Sequence, residues 1–257
     1  MPANYEIQFT VAELFWLIKA FKINRLPLPE FDNAGYPIPE AGKKYTQAQI
    51  SLEARTMIRK SGAGWEVDHL PAALVHWLAN AKNMVKMTYL KRAGDSSRLS
   101  IFLEKDGALS VETKDESMDF VIYQNIDDLE SNLIERLNAS FADIKPSTSK
   151  YEIPQPEAII RAAWNDKKMT EDILKKIGRD EKKSRSTIKW LDSLLWIAIL
   201  SQVNLESQSA RIESQTFLCG DDQKVWAGIE TMPGQNDAVT LASIAVKNIG
   251  TLIKDIL

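Results

Sequence analysis

The chain has little of the chemistry on which most enzymes depend. Its 257 residues include one cysteine, Cys219, and two histidines, His69 and His76. A single cysteine excludes a disulfide within the chain, which fits a reducing compartment. The longest apolar stretch, 194–200, is much shorter than the roughly 18 residues that a membrane-spanning helix needs. The opening residues have no basic stretch followed by an apolar one, so we expect no signal peptide and a cytoplasmic location.

Motifs for nucleotide binding and nucleophilic catalysis are also missing. The sequence contains no glycine-rich phosphate loop and no Gly-x-Ser-x-Gly elbow for a nucleophilic serine. His69 and His76 are seven residues apart, whereas two histidines that bind one metal from a helix are about four apart. Cys219 precedes Asp221 and Asp222, whose carboxylates would raise the pKa of the thiol. The sequence therefore predicts no catalysis, no metal site and no cofactor.

What is present is the composition of a globular protein, with 44% hydrophobic and 26% charged residues. The net charge of −3 gives no general reason for binding nucleic acid, which usually requires a basic surface. The charge is uneven, because residues 161–189 contain ten basic and five acidic side chains. This segment is either a solvated helix face or a docking site for an acidic partner. Single-stranded nucleic acid is a weaker third option, because few aromatic residues are interleaved here.

Hydrophobic periodicity predicts strands and helices in the first 140 residues. Residues 5–9 alternate as a strand, and Thr10 and Glu13 form the capping box that begins a helix over 11–22. Four prolines between 27 and 39 predict a stiff loop, either packed through its own leucines or exposed as a polyproline ligand. The other predicted elements are helices over 46–60, after Asp68 and over 126–138, and strands over 84–91, 98–104, 109–113 and 118–122.

The second half repeats this order of element types. Near the end of a polar connector over 141–156, the Tyr-Glu-Ile tripeptide of residues 5–7 recurs at 151–153. We therefore predict an α+β fold of two pseudo-symmetric halves, 1–140 and 157–257, each an antiparallel sheet packed by helices. The halves differ in length, so the duplication rests mainly on element order. The predicted elements are helical sequence from Pro156 to about 194, strands over 195–204, 209–218, 223–232 and 238–242, and a final helix ending near Ile256.

Several features of the first half resemble the EspG family, the cytosolic chaperones of mycobacterial type VII (ESX) secretion. They are the strand-to-helix start at 9–14, the Leu-Pro-x-Pro segment 26–29, and the helix from Leu52 with its glycine exit at Gly62. The resemblance implies a non-catalytic protein of two pseudo-symmetric α+β halves that binds small helical proteins before their export. It covers about the first 140 residues, whereas the second half matches in element order alone. The sequence departs from the family in its charged, lysine-rich composition and in its short second-half helical stretch.

The resemblance also implies where a partner binds. Members of that family use the hairpin loop after the first long strand and helices of the second half. The corresponding loop here, 92–97, is polar and joins two predicted strands, so we expect it to project. The implied protein-binding residues are Arg92, Gly94, Asp95 and Ser96 of this loop and Arg179, Lys182, Lys183 and Arg185 of the basic segment.

Two rival hypotheses remain open at the level of sequence. One is an enzyme on an unfamiliar α+β scaffold, and the other is a self-assembling structural protein of the phage type. The identity of a protein partner and the oligomeric state are undecided. Trp65, which follows two glycines in a predicted loop, is either an interface anchor or part of the core.

Overall fold

The computed structural model describes residues 5–23, 26–28, 45–62, 64–104, 107–114, 117–137, 148, 150–165, 168, 170, 172, 181–206, 211–221, 224–231, 238–245 and 247–257. Most of the predicted proline-rich loop, most of the connector before residue 150, and Arg179 lie outside these residues. The mixture of helices and antiparallel sheets makes the fold α+β, as the sequence predicts.

The described elements follow one another in nearly the predicted order. They are β1 (Tyr5–Thr10), α1 (Val11–Ala20), α2 (Tyr45–Ala54), β2 (Ile58–Ser61), β3 (Gly64–Val67), α3 (His69–Asn80), β4 (Asn83–Lys91), β5 (Ser96–Glu104), β6 (Gly107–Lys114), β7 (Ser117–Tyr123), α4 (Ile126–Arg136), β8 (Lys150–Ile153), α5 (Pro156–Asn165), α6 (Glu181–Ser193), β9 (Trp196–Asn204), β10 (Arg211–Gly220), β11 (Val225–Thr231), β12 (Val239–Ile244) and α7 (Lys247–Ile256).

The chain divides into two compact units, each assembled from separate segments. Unit 1 contains Met1–Met84, Leu99–Ile126 and Val203–Arg211, and unit 2 contains the remainder. Residues 85–98, from the first predicted half, thus belong to unit 2, and Val203–Arg211, from the second, belong to unit 1. The division of the chain into two halves at its connector stays a prediction.

The sheet of unit 1 has the strand order β1-β7-β6-β5, with antiparallel neighbours throughout. Helices α1, α2 and α3 contribute the leucines and tryptophans that cover it, because their apolar residues recur at helical spacing. Trp65 is partly buried against this core, with its ring 6.0 Å from that of Trp16 in an edge-to-face arrangement. The large side chains at the centre of the core are Phe9, Trp16, Phe102 and Phe120.

The prediction of a helix over 46–60 is wrong after residue 54. Helix α2 ends at Ala54, and residues from Ile58 form strand β2, which pairs with β3 in a small separate sheet. The break occurs at Thr56, whose φ of +59° places it in the left-handed region that a helix cannot use. Gly62, also at positive φ, turns the β2–β3 hairpin instead of ending a helix.

The sheet of unit 2 has the strand order β4-β9-β10-β11-β12-β8. Helices α5 and α6 supply the apolar side chains that cover one face of it. An aromatic cluster holds β8 to this core, because Tyr151 stacks on Trp190 with centroids 4.1 Å apart and Trp226 meets both rings edge-on. Stacked and edge-on pairs of this kind add to the free energy gained from burying the rings.

The repeated Tyr-Glu-Ile tripeptide occupies similar places in the two units. In unit 1, β1 pairs with β7, the last strand of the β5-β6-β7 meander, and Tyr5 lies opposite Ile122. In unit 2, β8 pairs with β12, the last strand of the β10-β11-β12 meander, and Tyr151 lies opposite Leu241. Each tripeptide therefore lies in an end strand of its sheet, with one neighbouring strand among the described residues.

Candidate protein-binding surface

The β4–β5 hairpin ends in a tight turn that is fully exposed from Arg92 to Ser96. The amide of Gly94 donates to the carbonyl of Lys91 at 3.0 Å, and the amide of Lys91 donates to the carbonyl of Asp95 at 2.8 Å. Gly94 has φ +100°, a conformation that strains any residue with a Cβ atom. The exposed loop predicted from the sequence is therefore present, and two backbone hydrogen bonds close its turn.

The hairpin tip is tied down by Arg92. Its amide donates to the carbonyl of Leu195 at 2.8 Å, and its guanidinium Nη1 donates to the carbonyl of Asp192. Asp192 lies in the last turn of α6, where helix carbonyls lack partners within the helix and the helix dipole favours a positive charge. The structure thus brings the predicted hairpin loop together with the helix that carries the predicted basic residues.

Aromatic rings support the base of the hairpin. The Tyr89 ring lies 6.1 Å from the ring of Trp196, and the ammonium of Lys91 lies 5.8 Å from the centre of the Tyr89 ring. Burial raises the pKa of the Tyr89 hydroxyl, and the nearby Asp95 carboxylate raises it further. Lys91 and Asp95 form a loose ion pair of 3.9 Å, so the tip presents both signs of charge above a packed aromatic base.

Helix α6 presents a basic stripe that leads toward the hairpin. Arg185 and Lys189 are exposed and four residues apart, so they lie on one side of the helix. Arg185 is seven residues before Asp192, or about 10 Å along the helix axis. Lys182 and Lys183 lie in the first turn of α6, but their side chains are outside the described part of the chain. The opposite face of α6 carries the buried residues Thr187, Trp190 and Leu191 at helical spacing. Leu194, just after the end of the helix, is also buried.

This surface also includes one apolar residue that was not predicted from the sequence. Leu195, between α6 and β9, is 39% exposed, and its amide donates to the carbonyl of Gly220 at 2.8 Å. A Cβ at Gly220 would lie 2.6 Å from the Trp196 ring, so the close packing of the β10 backbone against this ring requires glycine. In the sequence Leu195 belongs to the apolar run 194–200, which gives no sign that one of its leucines is exposed. We call Arg92–Ser96, Arg185, Lys189 and Leu195 the tip surface.

The groups considered for catalysis lie elsewhere and are not brought together. Cys219 is fully buried, and burial, with a smaller contribution from Asp221, raises the pKa of its thiol far above the ordinary range. His69 and His76 are both exposed on α3. Among the residues that the structure describes, no three His, Cys, Asp or Glu side chains are grouped so that they could hold a metal ion. No described helix is long and apolar enough to cross a membrane.

Two open cavities are lined by described residues, one in each unit. The cavity in unit 1, of about 810 Å³, contains Arg59 and Glu66, which bond each other through two contacts of 2.7 and 2.8 Å. This pairing lowers the pKa of the Glu66 carboxyl, so the group is held as an ion-pair partner. The cavity in unit 2, of about 600 Å³, is bordered mainly by apolar side chains of β11, β12 and α7, such as Ile229, Ile244 and Leu252.

The chain resembles a known protein in its fold but not in its sequence. No protein-family model matches the sequence, and no curated protein does. A solved structure does match, that of the Mycobacterium tuberculosis type VII secretion system chaperone EspG5 in complex with the PE25-PPE41 dimer. The TM-score is 0.63, and the match covers 98% of this chain and 95% of the chaperone. The chain has the fold of this chaperone. With 10% sequence identity, the likeness to EspG5 shows the fold alone.

Proposed function

We propose that the chain is a cytoplasmic, non-catalytic binding protein that acts as a chaperone for small helical proteins of a type VII-like secretion system. The observation that carries this proposal is the match of fold over almost the whole length of both chains. The EspG5 chaperone was solved with a bound protein dimer, which supports a protein as the partner here. The resemblance of the first 140 residues to the EspG family supports the same function.

We further propose that the tip surface contacts the partner. Its hairpin is held by Gly94 and Arg92 before any partner arrives, so binding would order few additional groups and lose little entropy. Leu195 gives the surface an exposed apolar residue within a polar surround, the arrangement that protein interfaces use. Basic residues at Arg185 and Lys189 favour an acidic patch on the partner. Lys182, Lys183 and Arg179 extend the same charge in the sequence.

The duplication of the chain is part of the same proposal. Its support is that each Tyr-Glu-Ile strand closes a three-stranded meander on the meander's last strand and is followed directly by a helix. The equivalent pairing is stronger evidence for a duplication than the order of elements alone. A strand of four to six residues could have paired with a different strand in each unit.

The test is affinity capture of the tagged chain from the cytoplasm of the source cells, followed by mass spectrometry. We expect enrichment of a small helical protein of the secreted type. The variant Lys189→Glu should reduce this enrichment about tenfold, because it reverses one charge at the proposed interface. Lys60→Glu makes the same change on an exposed lysine of unit 1 and should leave capture unchanged. Equal capture by both variants would contradict the tip surface, and the absence of any such protein would contradict the function.

A further inference from the structure

Strand β1 lies at the end of its sheet in the part of the chain that the structure describes. Within the described residues its single neighbour is β7, so the backbone groups on its other side have no strand to bond. Such an edge invites pairing with another chain, and proteins usually protect it with prolines, several charges or a very short strand. Strand β1 has six residues, no proline and one charged residue, Glu6. Its sequence therefore lacks these protections.

Two hydrogen bonds identify which backbone groups face outward. In an antiparallel pair, alternate residues direct their N–H and C=O groups toward the neighbour, and the residues between direct theirs away. The carbonyl of Gln8 accepts from Nη2 of Arg55 at 2.6 Å, and the amide of Thr10 donates to the Glu13 carboxylate at 2.8 Å. Gln8 and Thr10 therefore face outward, and alternation adds Glu6 to the outer edge.

The side chains that meet this edge are the buried Glu13 and the partly exposed Arg55, which pair with each other. Glu13 is 2% exposed, and its carboxylate accepts from Ser51 Oγ at 2.6 Å and from Nη1 of Arg55 at 3.1 Å. The Arg55 guanidinium also lies 5.6 Å from the centre of the Phe9 ring. These contacts hold the guanidinium so that its second nitrogen, Nη2, meets the Gln8 carbonyl. Arg55 is thus held across the edge of β1 by its bonds to Glu13 as well as by its bond to the Gln8 carbonyl.

We propose that the Glu13–Arg55 pair closes the outer edge of β1 to strand addition, and that the strand it excludes is β1 of a second copy of this chain. Antiparallel pairing of two β1 strands about Gln8 places Glu6 opposite Thr10 of the second copy, so the one acid of the strand meets no like charge. The outward groups of the two Gln8 residues would then bond each other at the centre. Arg55 occupies that position and prevents the pairing.

The test uses the double variant Glu13→Gln/Arg55→Met. Glutamine keeps the capping box and so the bond to the Thr10 amide, and methionine keeps an apolar stem over Phe9, so no buried charge is left unpaired. The variant frees the Gln8 carbonyl, at the centre of the pairing. We expect light scattering to give twice the mass of the wild-type protein at the same concentration. Hydrogen exchange of the Glu6 and Gln8 amides should slow at least tenfold. The matched control, Arg59→Met/Glu66→Gln, removes an exposed pair on β2 and β3 and should leave the mass unchanged.

Two further variants keep the proposal open to contradiction. Arg55→Lys retains an ion-pair partner for Glu13 but replaces the two guanidinium nitrogens that separately meet Glu13 and the Gln8 carbonyl with a single ammonium, so it should double the mass at higher concentration. Adding Glu6→Pro to the double variant should restore the wild-type mass, because proline removes an outward N–H that pairing requires and no bond to β7. A mass unchanged in both the double variant and Arg55→Lys overturns the proposal. So does a doubled mass that Glu6→Pro does not reverse.

Discussion

The two end strands, β1 and β8, share the tripeptide Tyr-Glu-Ile but differ in what surrounds it. Tyr5 is 53% exposed on the open end of β1. Tyr151, at the corresponding place in β8, stacks on Trp190 and meets Trp226 edge-on. The same local sequence thus forms the same kind of strand in both units. Its tyrosine is exposed in unit 1 and partly buried against two tryptophans in unit 2.

The strand-to-helix corners that follow also use different chemistry. In unit 1 the buried Glu13 of the Thr10–Glu13 capping box pairs with Arg55, a partly exposed residue just after α2. In unit 2, Pro156 begins the helix and Glu157 pairs with Arg161 at 2.9 Å on the exposed face. Unit 1 therefore depends on a buried polar network at this corner, and unit 2 depends on aromatic packing.

The end strands also protect their edges differently. Strand β8 has four residues, begins with Lys150 and is followed directly by Pro154. These features are the usual protections of an edge strand. Strand β1 is longer and lacks them, and Arg55 reaches its edge from elsewhere in unit 1. The comparison indicates that a sequence without local protection can obtain it through a distant contact.

The largest effect is expected when the buried network of unit 1 is broken. Arg55→Ala leaves the Glu13 carboxylate buried without its cationic partner and should lower the free energy of unfolding by about 3 kcal/mol. Arg161→Ala removes the exposed pair of unit 2 and should lower it by less than about 1 kcal/mol. Urea denaturation followed by circular dichroism measures both. Equal effects would contradict the claim that only the first corner depends on its ion pair.

The two tyrosines give the next largest difference. Tyr151→Ala removes a ring that stacks on Trp190 and meets Trp226 edge-on, and it should lower the free energy of unfolding by about 2 kcal/mol. Tyr5→Ala removes an exposed ring, and we expect a change within about 0.5 kcal/mol. The same denaturation experiment compares them, and near-ultraviolet circular dichroism should change for Tyr151→Ala alone. A loss of stability at Tyr5 as large as at Tyr151 would show that the units are covered alike.

Substitutions at the starts of α1 and α5 should change the free energy of unfolding in opposite directions. Thr10→Ala removes the capping oxygen of α1 and should lower the free energy of unfolding by about 1 kcal/mol. Gln155, just before α5, has φ +43°, so Gln155→Gly should relieve backbone strain and raise that free energy by about 0.5 kcal/mol. Thermal unfolding should show a lower midpoint for the first variant and a slightly higher one for the second. A lower midpoint for Gln155→Gly would contradict the strain at this corner.

Local patterns in the sequence were enough to predict most elements. Alternation located β1 and the four-stranded series of each part of the chain, and the Thr10–Glu13 capping box and the Asp68 cap were confirmed at helix starts. These features depend on residues within one turn of each other. The exposed hairpin from Arg92 to Ser96 was found for the same reason, since Gly94 marks the turn.

Features that depend on distant contacts could not be predicted in this way. The bond between Glu13 and Arg55 joins residues 42 apart, and no local pattern in the sequence connects the capping-box residue Glu13 with Arg55. The β2–β3 hairpin was missed because Met57 and Ile58 continue a helical spacing, while the left-handed turn at Thr56 redirects them. Leu195 was missed because exposure at a junction depends on neighbouring loops.

The most direct test of the proposed chaperone function is hydrogen–deuterium exchange of the chain with and without its captured partner. We predict slower exchange in residues 91–97 and 185–195, the two segments that contain the tip surface, and unchanged exchange in the α2–β2 region of unit 1. Protection confined to other segments would contradict the tip surface. No protection anywhere, at saturating partner, would contradict the claim that this chain binds a protein client.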